Sequence, residues 1–228
     1  MPRYDWLLLD LDGTVLDYTR AETDALHATL TGLGLAVDDA LTTAYREINA
    51  AAWTAYERGE LSPAELRVRR WRELIGRHGL DADAEATAQA YVENLAAGHV
   101  ALEGALDAVE ALACHHRIGV VTNGFASVQR PRMAASGVDR HAEVVVISDE
   151  VGHSKPDPAI FDVAFAAMGQ PDRRRVLMVG DSLASDVAGG VAYGLDTAWV
   201  APPGAAVPPA DLTPTFRVAA LSELVELL

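Results

Sequence analysis

Residues 6–17, WLLLDLDGTVLD, decide how the rest of the chain is read, because an apolar run delivers two carboxylates and then stops. Trp6 to Leu9 show no polar alternation, the pattern of a strand buried on both faces of a parallel sheet rather than of a helix. Gly13 and Thr14 end the run in a turn. Strand alternation puts Asp10 and Asp12 on one side with a single residue between them, so the pair can address one reacting centre or one cation. In open α/β sheets, ligands bind beyond the carboxyl ends of the strands, which is where this pair falls. Taken alone, D-x-D-G-T reads equally well as a polar strand-end turn with Asp12-Gly13 as its turn residues.

The 228 residues are 50% hydrophobic with a mean hydropathy of +0.10, enough for a substantial core and a smaller accessory domain. Against 33 Asp and Glu stand 18 Lys and Arg, and the net charge of -15 repels phosphate backbones and acidic membrane surfaces. A nucleic acid polymer and a membrane are therefore set aside as partners. A small phosphorylated metabolite is not, because a bound divalent cation and a few donors reverse the potential inside one cleft. Cys114 is the only cysteine, so no intrachain disulfide forms and a reducing compartment is expected. The apolar segment before Asp10 is short and no later run approaches spanning length, so a cytoplasmic location is expected.

Residues 17–99 show no strand pattern and read as four amphipathic helices. Thr19 and Glu22 have capping-box spacing ahead of Leu26, Leu30 and Leu33, and Gly32 and Gly34 weaken that helix. A second stripe is Leu41, Tyr45, Ile48 and Ala52, stopping near Gly59. Ser62-Pro63-Ala64-Glu65 opens a third helix with the stripe Val68, Trp71, Ile75 and His78. The fourth, from Asp83 to Ala97, faces inward with Ala84, Ala88, Tyr91 and Leu95. From residue 100 helices and strands alternate, with strands at Ile118–Thr122, Val144–Ser148, Val176–Gly180, Thr197–Val200 and Phe216–Val218. The intervening helices fall at 104–115, 126–136, 158–168, 184–193 and 222–228, and Pro202 to Pro214 reads as an irregular connection. The fold expected is α/β: a Rossmann-like parallel sheet from residues 1–16 and 100–228, with a four-helix insertion over 17–99.

Three further strand ends carry polar groups. Thr122-Asn123-Gly124 closes an apolar strand just before a helix, a geometry suited to an anion and equally to an ordinary helix cap. Lys155 lies in His153-Ser154-Lys155-Pro156-Asp157-Pro158, where a lone lysine is otherwise a solvated charge. Gly180-Asp181 ends another buried strand, and Asp186 follows at a helix start, where the dipole alone would favour it. Hard cations take oxygen ligands, so Asp10, Asp181 and a backbone carbonyl at Asp12 form a candidate Mg²⁺ site, with Asp186 orienting a ligand water or holding Lys155. The arginines around Trp71, including Arg70, read as a solvated helix face, and Arg173 to Arg175 as a hydrated loop.

Four such strand ends on one edge of a parallel sheet resemble the haloacid dehalogenase superfamily, whose motifs match as Asp10-x-Asp12-Gly13-Thr14, Thr122-Asn123, Lys155-Pro156 and Gly180-Asp181 with Asp186. The insertion after the first motif resembles that family's helical cap. The resemblance implies an aspartyl-phosphate on Asp10, Asp12 as acid and base, Lys155 and Mg²⁺ against charge repulsion, and Thr122 and Asn123 on the phosphoryl oxygens. Thr122-Asn123-Gly124-Phe125, Ile147 to Gly152, Pro171-Asp172-Arg173 and the pattern Asn49, Trp53, Tyr56, Gly59 are similar to the branch of pyrimidine 5′-nucleotidases. Trp53 and Tyr56 would then meet the base, although interior packing explains each as well. Alternatives within the superfamily are a sugar-phosphate phosphatase or a phosphomutase. Hydrolytic dehalogenation needs neither a metal nor an acid at Asp12, and a phosphate-binding protein without activity would be expected to have lost a catalytic acid.

Overall fold

The computed structural model describes residues 3–202 and 204–228. Met1, Pro2 and Pro203 lie outside the described residues, so the connection expected over Pro202 to Pro214 is described on either side of Pro203, where it contains one 3-10 turn, Ala210–Leu212. The chain divides into two compact units, residues up to Tyr18 with His99–Leu228, and Thr19–Gly98.

The helical unit is built from α1 (Tyr18–Gly32), α2 (Asp39–Glu57), α3 (Pro63–His78) and α4 (Ala84–Ala97). Ser62 and Glu65 form the expected capping box: the Ser62 hydroxyl accepts from the Glu65 N–H at 3.3 Å, and Glu65 accepts from the Ser62 N–H at 2.8 Å. Asp38 and Asp83 cap α2 and α4 in the same manner from one side. No box forms at Thr19 and Glu22. The helix already begins at Tyr18, which places Thr19 inside the first turn and rotates Glu22 into the interior.

Burial on α2 follows the stripe Leu41, Tyr45, Ile48 and Ala52 read from the sequence. On α3 the stripe is displaced: Leu66, Arg70, Trp71 and Leu74 are buried, Val68 and Ile75 are half-buried and His78 is exposed. Arg70 is therefore not a solvated charge. Its Nη1 donates to Asn49 Oδ1 at 2.7 Å and its guanidinium carbon lies 4.9 Å from the Tyr91 ring centre. Asn49 in turn donates to Glu22 Oε1 at 3.0 Å, and Arg46 donates to Glu22 Oε2 at 3.2 Å. Tyr45, Trp71 and Tyr91 pack around this network with ring centres 5.0 to 5.4 Å apart.

In the sheet unit, β1 (Trp6–Leu9), β2 (Arg117–Thr122), β3 (Ala142–Ile147), β4 (Val176–Gly180), β5 (Asp196–Val200) and β6 (Phe216–Val218) form one parallel sheet in the order β3-β2-β1-β4-β5-β6. The central strand is β1, with Leu8 opposite Gly119 on one side and Met178 on the other. Its four residues are buried, Leu7 and Leu9 in one cluster with Val109, Leu112 and Leu224, Trp6 and Leu8 in a second with Ile160, Phe161 and Phe165. Each buried leucine contributes roughly 2 kcal/mol, so this strand anchors both faces of the sheet.

Among the described residues, six α-helices accompany the sheet: α5 (Ala105–Ala113), α6 (Ala126–Ser136), α7 (Ser148–Val151), α8 (Pro158–Ala167), α9 (Ala188–Tyr193) and α10 (Ser222–Leu227). Ser148, read from sequence as strand, opens α7, and the helix read as 184–193 begins instead as a π-helical turn, Leu183–Val187. The strand order reverses between β1 and β4, which puts the topological switch point at their carboxyl ends.

Candidate active site

Asp10 leaves the end of β1 with its N–H bonded to Val179 O at 2.8 Å, which sets it beside Asp181, just past the end of β4. Two glycines let the acids approach. Gly13 has φ +81°, and a Cβ there would come within 2.3 Å of Asp181 Oδ2, while a Cβ on Gly180 would come within 2.2 Å of Asp186 Cγ. Each acid thus fills the space that a methyl group would occupy, the physical reason for the D-x-D-G and G-D pairs.

Lys155, 1% exposed, donates to Asp10 Oδ1 at 2.6 Å and Val121 O at 2.6 Å, and its ammonium forms an ion pair with Asp186 Oδ1 at 2.7 Å. Of the two jobs expected for Asp186, holding Lys155 is therefore one that the structure displays. The Asp186 side chain is fixed by the Ser182 N–H, which donates to Oδ2 at 2.9 Å. Asn123 grips the Lys155 backbone from both ends of its amide, accepting from the Lys155 N–H at 2.8 Å and donating to Lys155 O at 2.9 Å. The side chain expected on a phosphoryl oxygen thus positions the lysine.

Carboxylate oxygens of Asp10, Asp181 and Asp186 all lie within 4.8 Å of one another. Burial and the neighbouring Asp186 charge push the Asp181 carboxyl up to about 7, against the opposing pull of Lys155. Burial also raises Asp10 well above the usual carboxylate range, again outweighing Lys155. For Lys155 burial works downward, but the charges of Asp10 and Asp186 prevail and hold the ammonium protonated.

Asp12 looks elsewhere. Gln129 Nε2 donates to its Oδ2 at 2.7 Å and Arg132 Nη1 to its Oδ1 at 2.5 Å. Its carboxylate is thus not one of the three clustered groups, which leaves its backbone carbonyl as the ligand atom expected from the sequence. Thr122 is buried, and its Oγ1 accepts from Gln129 Nε2 at 3.1 Å. Neither Gln129 nor Arg132 was legible as a site residue, since their partner is 117 and 120 positions away. Trp199 on β5, also missed, donates its indole N–H to Asp181 O at 2.7 Å and steadies that loop. Trp53 and Tyr56 are half-buried on α2 and meet edge to face, ring centres 5.6 Å apart at 87°.

A family model of haloacid dehalogenase-like hydrolases matches residues 4–194. The chain belongs to that family. This haloacid dehalogenase-like hydrolase is 32% identical to the HAD-hydrolase YfnB of Bacillus subtilis over 100% of its own length and 97% of the relative's. It is also 32% identical to the pyrimidine 5′-nucleotidase YjjG of Escherichia coli, over 99% and 98% of the two chains. The pyrimidine 5′-nucleotidase PynA of Streptococcus pneumoniae is 34% identical over 87% of this chain and 84% of its own. A crystal structure of YfnB bound to magnesium superposes with a TM-score of 0.92 at 31% identity, covering 100% of this chain and 99% of that one. The L-2-haloacid dehalogenase of Xanthobacter autotrophicus shares the fold at a TM-score of 0.75 and 20% identity.

The hydrolase's own donor set answers whether a divalent cation fits. Two of the three clustered carboxylates pair with one ammonium, all three donors are oxygens, and negative charge is in excess. That composition suits a hard cation. No helix among the described residues is long and apolar enough to cross a membrane.

Proposed function

We propose that this HAD-like phosphatase hydrolyses nucleoside 5′-monophosphates through an aspartyl-phosphate on Asp10, with pyrimidine nucleotides preferred over sugar phosphates. The observation that carries the mechanism is the unlike company of two carboxylates one residue apart. Asp10 is held by an ammonium beside two further acids, whereas Asp12 is held by a guanidinium and an amide. Paired acids in unlike environments take unlike roles.

Lys155 holds Asp10 Oδ1, and Oδ2 attacks phosphorus in line. The bond to the ester oxygen breaks and Asp12 gives that oxygen a proton. Water then attacks phosphorus, Asp12 takes its proton, and the Asp10–phosphorus bond breaks to release inorganic phosphate. Lys155 and Thr122 face the phosphoryl charge, and Asn123 supports them by fixing the Lys155 backbone. Asp10, Asp181 and the Asp12 carbonyl would hold Mg²⁺, with Asp186 reaching it through water. When bound, the cation neutralises the clustered acids and polarises the phosphoryl group.

Two relatives named as pyrimidine 5′-nucleotidases, matched over 99% and 87% of this chain, support the substrate class. Trp53 and Tyr56 are assigned to the base, since an aromatic pair offers it a flat apolar surface. A cytoplasmic site of action accords with a single free cysteine. The test is a panel of phosphomonoesters ranked by kcat/KM in the presence of Mg²⁺, with Trp53→Ala beside the wild type. Pyrimidine nucleotides should head the ranking and lose their lead in the variant. Sugar phosphates in first place would remove the nucleotide assignment and leave the phosphatase chemistry standing.

A further inference from the structure

We propose that Gln129 and Arg132 are positioning residues that set Asp12 for the second half of the reaction, the removal of a proton from the water that hydrolyses the aspartyl-phosphate. The proposal rests on the covalent mechanism given above. Three hydrogen bonds close a ring: Arg132 Nη1 donates to Asp12 Oδ1 at 2.5 Å and to Gln129 Oε1 at 2.9 Å, and Gln129 Nε2 donates to Asp12 Oδ2 at 2.7 Å. The bond to Oε1 decides which end of the Gln129 amide meets Asp12, because only the amino end can then face the carboxylate. That amino group also donates to Thr122 Oγ1 at 3.1 Å, tying the ring to the end of β2. Gln129 is 1% exposed and Arg132 0%, so neither is a mobile surface group. Their spacing of three residues puts both on one face of α6.

The ring gives each Asp12 oxygen a donor, which presents the carboxyl as an acceptor in one fixed orientation. A group that must take a proton from an attacking water needs its lone pair aimed in this way. In that step the water oxygen bonds to phosphorus and the water proton passes to Asp12. The Asp10–phosphorus bond breaks, its electron pair returning to the Asp10 carboxylate. Asp12 then carries the proton that the next ester oxygen receives.

The experiment uses the full chain with Mg²⁺ and p-nitrophenyl phosphate, a substrate whose leaving group needs little protonation. Gln129→Leu should lower kcat by about tenfold and Arg132→Met by about a hundredfold, the larger loss reaching the lower edge of what general acid–base catalysis contributes and the smaller falling below it, as expected for groups that act through Asp12. KM should fall in parallel, leaving kcat/KM nearly unchanged, because only the step after phosphorylation is slowed. Acid quenching should then show phosphorylated protein rising above the wild-type level, with Asp10→Asn as the blank. Arg132→Lys, which keeps a donor against Asp12, should recover part of the loss. Arg132 is buried, so its variants are read only where thermal melting shows a folded chain, and the milder Gln129→Leu stands as the independent arm. Equal falls in kcat and kcat/KM without added phosphoprotein would overturn the assignment. A wild type that turns over yet yields no phosphorylated Asp10 under any quench would instead overturn the covalent mechanism beneath it.

Discussion

Both units bury carboxylates among cations, but they balance the charge in opposite senses. In the sheet unit Asp10 and Asp186 pair with the ammonium of Lys155, and Asp181 clusters with both acids just past the strand ends. In the helical unit the single acid Glu22 is met by Arg46 directly and by Arg70 through Asn49, within the length of helices. The first cluster is charged in excess and located where the backbone turns, so it gains by taking up a cation. The second sets cations against its acid and links α1, α2 and α3 through Glu22, Arg46, Asn49 and Arg70.

The largest separation between the two should come from Asp10→Asn. Loss of the nucleophile should cut turnover of any phosphomonoester by at least about a thousandfold, with the fold retained by circular dichroism. A variant within tenfold of wild type would dissolve the catalytic side of the contrast. Glu22→Ala probes the other side, where removing one member of a buried network leaves its partners uncompensated. About 3 kcal/mol of stability should be lost, less for the half-exposed Arg46 than a fully buried pair would give, and the melting temperature should fall by roughly 8 °C. An unchanged melt would show that the network fastens nothing.

The smallest effect concerns pH and metal. The Asp181 carboxyl is raised to about 7 in the folded chain, so the folded state holds a proton that the unfolded state gives up near pH 4. Its contribution to stability is therefore complete below about pH 4 and is lost as pH rises through about 7. After treatment with EDTA, the stability read from thermal melts should drop across that window by an amount on the order of 1–2 kcal/mol. Added Mg²⁺ should restore it most fully above pH 7, where the proton need not be displaced. A metal-free melt that is flat from pH 4 to 8 would show that the three acids do not compete for charge.

The contrast also separates what was legible in the sequence from what was not. Strand-end acids declare themselves, because short apolar runs such as Trp6–Leu9 and Val176–Gly180 stop abruptly at a carboxylate or a glycine. Capping at Ser62–Glu65 was legible for the same reason: the signal lies within four residues. Arg70 was not, since both Val68-Trp71-Ile75 and Leu66-Arg70-Leu74 are proper helical spacings, and apolarity favours the set that lacks the arginine. Gln129 and Arg132 escaped because nothing local marks a side chain whose partner lies over a hundred residues earlier.

The placement of β1 bears on how the polypeptide emerges from the ribosome. Leu8 precedes its sheet neighbours Gly119 and Met178 by 111 and 170 residues, so this apolar stretch stays unpaired until the chain beyond the helical unit has been made. Thr19–Gly98 makes its own compact unit in the interval and can close while the strand waits. The segment that anchors both faces of the finished sheet thus waits for both of its neighbours, and while it waits it is a stretch of nascent chain in need of shielding from aggregation.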